Sequence, residues 1–534
     1  MQDKQPSLIW LRYLCVIVLV LGIFFRFVNL DRKVYFGDEV YTSIRISGHT
    51  TAELVNEVAN GNLSQIEDLQ KYQQPSPEKG LLGTIEGLAL EEPWLTPLYF
   101  VMARFWAEWF GSSIAATRSL VASISLLAFP AVYWLCLELF KSSIIGWTAI
   151  ALIAVSPIHV LYAQEARMYS LWAVTILLAS AALLRAMRSQ TRVSWAIYAL
   201  TLILSFYSYL LSVVIAIGHG FYVVVIEGFR WTKTVTAYLL ASLAAILAFV
   251  PWLVIVVSDQ TSNQSSLAFA GESVLHAVKH WAGNISRIFF DFNLTIEDTN
   301  KYIFPLIVIA ILSILLLSGY SIYFLCRRTP KRVWLFVLVL ILAIPIAMLP
   351  KGSLSSNFPI RYLIPSCVGI QLAVAYLLAT QTTALAVNLR QKKLWRLAAI
   401  ALISSGIISC ALSSSTETWW NKQFGSCNPQ IARIINQAKK PLIISDGDGR
   451  RYDSALSNIV SLSYLLDPKV QFQLVVEPNT PKIPDGFSDV FLVTPSETLR
   501  SNIQQESWQL QPIYKDRKAY RGSNICLWKL NKNV

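Results

Sequence analysis

Four short stretches carry residue types that could do chemistry together. YFGDEVYTSIRI places Asp38 and Glu39 a few residues after the first long apolar run. SPIHVLYAQEARMYSL places Glu165 and Arg167 between two later runs. Arg118 opens one apolar run, and Arg361-Tyr362 opens another directly after KGSLSSNFPI. A carboxylate whose pKa is tuned by partial burial can accept a proton from an attacking hydroxyl. An arginine at a membrane boundary can clamp a lipid phosphate through two parallel charge-assisted hydrogen bonds. Each residue also has a plainer reading: Asp38-Glu39 as charges at a helix N-terminus or in a solvated loop, each arginine as a headgroup anchor. Their common depth in a membrane would bring them together, and that depends on the elements that carry them.

Those elements are apolar helices. Of the 534 residues, 54% are hydrophobic and only 14% charged. Soluble chains carry roughly 25% charged residues, so this composition indicates a bilayer-embedded protein and excludes a disordered chain. Near-uncharged stretches of spanning length recur near 8–29, 117–140, 143–161, 168–187, 194–210, 212–229, 234–257, 303–326, 333–350, 361–382 and 395–413. The first is no cleaved signal, because it is long, has no small-residue cleavage site and is followed by Arg26 and Asp31. With Lys4 and Arg12 inside, the basic residues near 141, 185–192, 230–233, 327–332 and 390–396 all fall in inside loops, as the positive-inside rule predicts. The net charge of +13 is then partly a topological signal and needs no nucleic acid.

Trp94–Gly111 is apolar enough to be a further span, and that is the alternative reading; the assignment above requires it to lie on the outer surface, since one more crossing would invert every later loop. Its Arg104 and Glu108, spaced i,i+4, are costly at a bilayer centre and cheap on a surface helix. The outer face then holds the loop 30–116, a short loop at 162–167, loops at 258–302 and 351–360, and everything beyond 413. Inside the spans, His219 is the ionisable exception, with His159 near an outer end. The lack of buried carboxylates there argues against an ion-coupled carrier. A neutral His219 hydrogen-bonded to a neighbouring helix is the expected role.

The segment 414–534 reads as a small soluble α/β domain. Strands are predicted at Pro441–Ser445, Val470–Val476, Asp489–Thr494 and Ile525–Leu530, with helices at 457–467 and 496–505. Gly447 and Gly449 in SDGDG make no complete phosphate-cradling fingerprint and suit a turn. Five cysteines lie in or beside spans. Cys427 and Cys526 share the outer domain, where a disulfide and two free thiols are both open readings. No His/Cys cluster points to a metal. The domain division is thus 1–413, membrane-embedded and catalytic, and 414–534, extracytoplasmic.

The GDE loop, PWLTPLYF, the stretch from Arg118 through SPIHVLYAQEARMYSL and the late PIRYLIP together resemble bacterial family 39 glycosyltransferases, relatives of the protein O-mannosyltransferases. The resemblance is densest over 20–190, returns near 355–370 and is weak in the outer domain. It implies the GT-C fold: a polytopic α-helical bundle of about 11–13 transmembrane helices with outer-face surface helices. It also implies a transferase whose donor is a polyprenyl-phosphate-linked sugar, with the lipid in the membrane and the sugar at its outer face. By the same resemblance Asp38 is the catalytic base with Glu39 beside it, and Glu165 helps hold the site. Arg167 and Tyr169 belong to that second motif, and Arg361-Tyr362 meets the lipid phosphate. Thr96 stands in WLTPLY where relatives commonly have proline, which leaves acceptor-side geometry less defined.

The reaction so implied is a single displacement in which an acceptor hydroxyl attacks the anomeric carbon and the lipid phosphate departs. A phosphate leaving group needs fixed positive charge rather than a strong acid, here from Arg361 with Lys351 or Arg118. No metal and no cofactor is expected. The acceptor, whether glycan, lipid or protein hydroxyl, is not specified. Rival readings are aminosugar or other glycosyl transfer to a lipid from the same kind of donor, and a non-enzymatic lipid or polymer transporter or scaffold. The absence of the eukaryotic repeat module favours a bacterial inner membrane with the site on its periplasmic face.

Overall fold

The computed structural model describes residues 6–259, 274–293, 304–349, 358–383, 388–449, 455–506, 508–516 and 525–532. Lys351 lies outside them. The chain divides into two compact units: Met1–Val28, Pro93–Tyr99 and Arg118–Ser414 form the first, and Asn29–Glu92, Phe100–Thr117 and Ser415–Val534 form the second.

The first unit is a helical bundle, and each predicted span coincides with a helix or a pair of helices. Six helices among the described residues are long and apolar enough to cross a membrane: Ile114–Phe140, Tyr169–Ser189, Lys233–Ser258, Phe304–Arg328, Ile360–Thr383 and Leu389–Ser414. Ser143–Ala154 and Pro157–Ala163 make a seventh if the pair, bent by 62°, counts as one span. Pro6–Phe27, Arg192–Ser208, Ser212–Ile226 and Lys331–Ala347 are the remaining long apolar helices. Tyr169–Ser189 and Ile364–Thr383 are buried along most of their length, while Lys233–Ser258, Phe304–Arg328 and Leu389–Ser414 expose leucine, isoleucine and valine side chains. Lipid is the solvent that such a surface requires. The protein is an integral, multi-pass membrane protein.

The bend has a specific cause. Pro157 has no N–H to give to the carbonyl of Ile153, so the helical ladder stops there. The buried Arg26 braces the carbonyls at the break: its Nη1 donates to Ala154 O at 2.7 Å and its Nη2 to Ile153 O at 3.2 Å, which also accepts the Ser156 N–H. Close approach is possible because residue 22 is glycine; a Cβ there would lie 2.5 Å from Ala154 O. Gln164 Nε2 then donates to the last carbonyls of the first helix region, Phe25 O at 2.8 Å and Val28 O at 2.9 Å. These bonds fix the turn that carries Glu165 and Arg167. His219 plays its expected part: its ring nitrogens meet Ser180 Oγ at 3.3 Å and Tyr198 OH at 3.2 Å, on two neighbouring helices.

In the second unit a sheet is built from β1 (Asn60–Ser64), β2 (Pro441–Asp446), β3 (Gln471–Val475), β4 (Asp489–Val493), β5 (Trp508–Lys515) and β6 (Ile525–Lys532). The order is β1-β3-β2-β4-β6-β5. β2 runs parallel to β3 and β4, with Leu442 opposite Gln471 on one side and Val490 on the other. Its six residues are all buried, as an apolar central strand should be. Ala455–Ser463 and Glu497–Gln505 are the two predicted helices, the first displaced toward the N-terminus of its predicted range 457–467. β1 and β5 were not expected. Both are edge strands, β1 short and polar, and β5 interrupted by Pro512, which is tolerated only at an edge. The SDGDG stretch ends β2 with Ser445 and Asp446 and continues without regular structure over 447–449, where Gly447 N donates to Val475 O at 2.7 Å.

The helix Leu98–Phe110 covers the Trp94–Gly111 stretch. At 13 residues it is too short to cross a bilayer unaided. Arg104 Nε donates to Glu108 at 2.7 Å, its Nη1 to Ile46 O at 3.1 Å and its Nη2 to Ser76 O at 2.7 Å. Cys427 and Cys526 are disulfide-bonded, with Cα atoms 6.4 Å apart and a sequence separation of 99. Closing so long a loop restricts the unfolded chain considerably. The double change Cys427→Ser/Cys526→Ser is expected to lower the opening free energy of the sheet by roughly 2–4 kcal/mol. Hydrogen exchange at the amides of β2 and β4 reads this directly, and unchanged protection would show that the bond is dispensable to the sheet.

Candidate functional site

Asp38 and Glu39 sit in the first turn of the helix Gly37–Ser47, in the second unit. No serine, threonine or asparagine stands before this helix, so Glu39 supplies the cap. Its Oε2 accepts the Phe36 N–H at 3.0 Å, and the same oxygen receives Lys422 Nζ at 2.8 Å. This ion pair is buried on both sides, at 1% exposure for the lysine and 0% for the glutamate. The Lys422 ammonium also lies over the Phe36 ring, 5.2 Å from its centroid. Asp38 is 6% exposed, and its carbonyl accepts Thr42 Oγ1 at 3.1 Å.

The other end of this helix is fastened just as firmly. Arg45 Nε donates to Glu92 at 2.9 Å, its Nη2 to Thr51 Oγ1 at 2.9 Å, and it pairs with Glu91 as well. Burial pushes the Glu91 carboxyl up, but Arg45 and the N–H groups of Thr51 and Ala52 outweigh it and leave its pKa below the ordinary value. A helix held at both ends keeps its N-terminal turn in place.

Glu165, Arg167, Tyr169, Arg361, Tyr362 and Arg118 belong to the first unit, where Tyr169, Arg361 and Tyr362 come together. Glu165 (1% exposed), Arg167 and Tyr169 share the turn after the bent helix pair, closed by Arg167 N to Glu165 O at 2.7 Å. Arg361 and Tyr362 lie on the 3-10 turn Ile360–Leu363, with Tyr362 N donating to Pro359 O at 3.1 Å. The Arg361 guanidinium stands 5.8 Å from the Tyr169 ring centroid and 5.5 Å from that of Tyr362. Tyr209 joins them, its ring 6.1 Å from Tyr169 and 6.2 Å from Tyr362, against which it stacks. Tyr162 completes the group with its ring 5.3 Å from Tyr169. The positive charges of Arg361 and Arg167 both act on Tyr209, and those of Arg361 and Arg287 on Tyr162. Arg118 is buried in the helix Ile114–Leu126 of the same unit.

Tyr162, Tyr209, Arg287 and Lys422 escaped the reading of the sequence. A lone tyrosine at a helix end or a lone lysine in a polar stretch has no spacing that marks it. The cluster in the first unit offers guanidinium and phenol donors, the groups that recognise a phosphate. Among the described residues, no group of three or more His, Cys, Asp or Glu is placed to hold a metal ion.

Two solved structures resemble this chain along nearly all its length. ArnT from Cupriavidus metallidurans in the apo state has a TM-score of 0.53, covering 98% of this chain and 98% of that one at 13% identity. The same protein bound to undecaprenyl phosphate has a TM-score of 0.50, covering 96% and 97% at 13% identity. The chain has the GT-C fold. No protein-family model matches the sequence, and no curated protein matches it either. At this identity the likeness concerns the fold, so the residues of the GT-C bundle carry the argument about chemistry.

Proposed function

We propose that this GT-C protein is a glycosyltransferase of the family 39 kind, taking a sugar from a polyprenyl-phosphate-linked donor to an acceptor hydroxyl. The observation that carries this reading is the placing of Arg361 against Tyr169 and Tyr362, with Tyr209 and Arg167 in the same cluster. A phosphate, the diester of the bound donor or the monoester that departs, is an anion that guanidinium and phenol groups can hold. Support also comes from ArnT, which shares the fold and has been captured with undecaprenyl phosphate.

In the reaction the acceptor oxygen bonds to the anomeric carbon as the bond from that carbon to the phosphate oxygen breaks. Asp38 accepts the hydroxyl proton, and the electron pair leaves with the lipid phosphate. Arg361, with Arg167 and Arg118 of the same unit as further cations, stabilises the charge that develops on the leaving group. Glu165 orders the turn that bears Arg167. Glu39 is a positioning group, because one of its oxygens already holds the Phe36 amide and Lys422. The site faces the periplasm of a bacterial inner membrane.

The test is to incubate purified protein with a panel of polyprenyl-phosphate sugars and an acceptor mixture of membrane glycolipids and cell-wall glycans. Consumption of one donor with release of polyprenyl phosphate is the expected result. Intact donors across the panel would reject the proposal in favour of a transporter or scaffold.

A further inference from the structure

Glu39 and Lys422 are 383 residues apart in sequence, yet they form a fully buried ion pair. Such pairs add little net stability, since desolvation offsets most of the attraction, and an apolar pair of similar volume would hold the unit as well. What the pair does supply is geometry. Glu39 Oε2 bridges Lys422 Nζ and the Phe36 amide, so the lysine and the start of the Asp38 helix share one anchoring atom.

Lys422 is itself held from several sides. It lies in the turn Trp420–Gly425, where its N–H donates to Trp419 O at 2.8 Å. Val34 N donates to Glu417 O at 2.9 Å, tying the segment before Asp38 to the residues that lead into that turn. Gly425 packs so closely on Val34 that a Cβ would come within 2.7 Å of the valine side chain. Two residues further on, the Cys427–Cys526 disulfide fastens the turn to β6.

We propose that Lys422 is a positioning residue for glycosyl transfer, acting through Glu39 to set the turn that carries Asp38. The C-terminal α/β segment is then a working part of the catalytic apparatus rather than an appended module. This inference rests on the reading of Asp38 as the base.

The experiment compares Lys422→Met, Lys422→Arg, Glu39→Gln/Lys422→Met and Asp38→Asn in the full-length protein, using the donor that the panel shows to be consumed. Lys422→Met is expected to lower kcat by about 100-fold, the cost of misplacing a reacting group by roughly 1 Å, with the donor KM within twofold of wild type. The double variant leaves no unpaired buried charge, so its melting temperature returns to that of wild type while its kcat stays low. Lys422→Arg keeps the charge and recovers part of kcat. A double variant that both melts and turns over like wild type would reduce the pair to a structural feature and overturn the inference. Wild-type turnover in Asp38→Asn would instead remove the base reading beneath it, and the inference with it.

Discussion

Replacing Asp38 by Asn is expected to reduce turnover by roughly two to four orders of magnitude, the usual contribution of a general base. The substitution keeps size and shape and removes only the ability to take a proton. The fold should survive it, because Glu39, not Asp38, caps the helix through the Phe36 amide and pairs with Lys422. Asparagine is also well tolerated in and around the first turn of a helix. The measurement is single-turnover donor consumption on detergent-purified protein, alongside its melting curve and its elution on gel filtration. A folded variant with near-normal turnover would take Asp38 out of the base role, whatever happened to donor binding.

The difference between Asp38 and Glu39 marks the limit of what the sequence shows. Adjacent acidic residues after a span read as one catalytic pair. Only the fold reveals that the second of them accepts a backbone N–H three residues back and a lysine from the far end of the chain. No capping signature announces this helix, since Phe36 stands where a serine or threonine would have been recognised. The partner was equally silent, because a contact spanning 383 residues leaves no local pattern.

What was legible followed from the bilayer and from burial. Long uncharged runs must become helices in lipid, so every predicted span is helical. Apolar runs in the last 120 residues gave the inner strands β2, β3, β4 and β6, whereas polar β1 and proline-bearing β5 pair only at the sheet edges, where sequence preference is weakest. The cluster around Arg361 was half visible. Glu165, Arg167, Tyr169 and Tyr362 stand in the stretches that carry the family resemblance, as does Tyr162, which no spacing singled out, while Tyr209 reaches the cluster through helix packing. Arg26 shows the reverse case: a charge that the sequence offered only as a sign against a cleaved signal braces a helix broken by Pro157.

Arg361→Ala is the second large effect expected, and it should fall on the donor. A charged hydrogen-bonding group removed from a largely buried anion site costs about 1.5–3 kcal/mol, or roughly 10- to 150-fold in kcat/KM for the polyprenyl-phosphate sugar. The acceptor KM should hold within twofold. Arg361→Lys keeps the charge but loses the planar fork, which is able to pair with two phosphate oxygens and lies against Tyr169 and Tyr362, so it should fall between the two. Tyr362→Phe separates packing from hydrogen bonding: it preserves the ring beneath the guanidinium and removes only the phenol oxygen. If Arg361 acts on the leaving phosphate, donors with better leaving groups should lose less on its removal, because less charge then needs support in the transition state. Equal losses for good and poor leaving groups would mean that Arg361 binds the donor without aiding departure. An unchanged donor dependence would exclude it from the phosphate altogether.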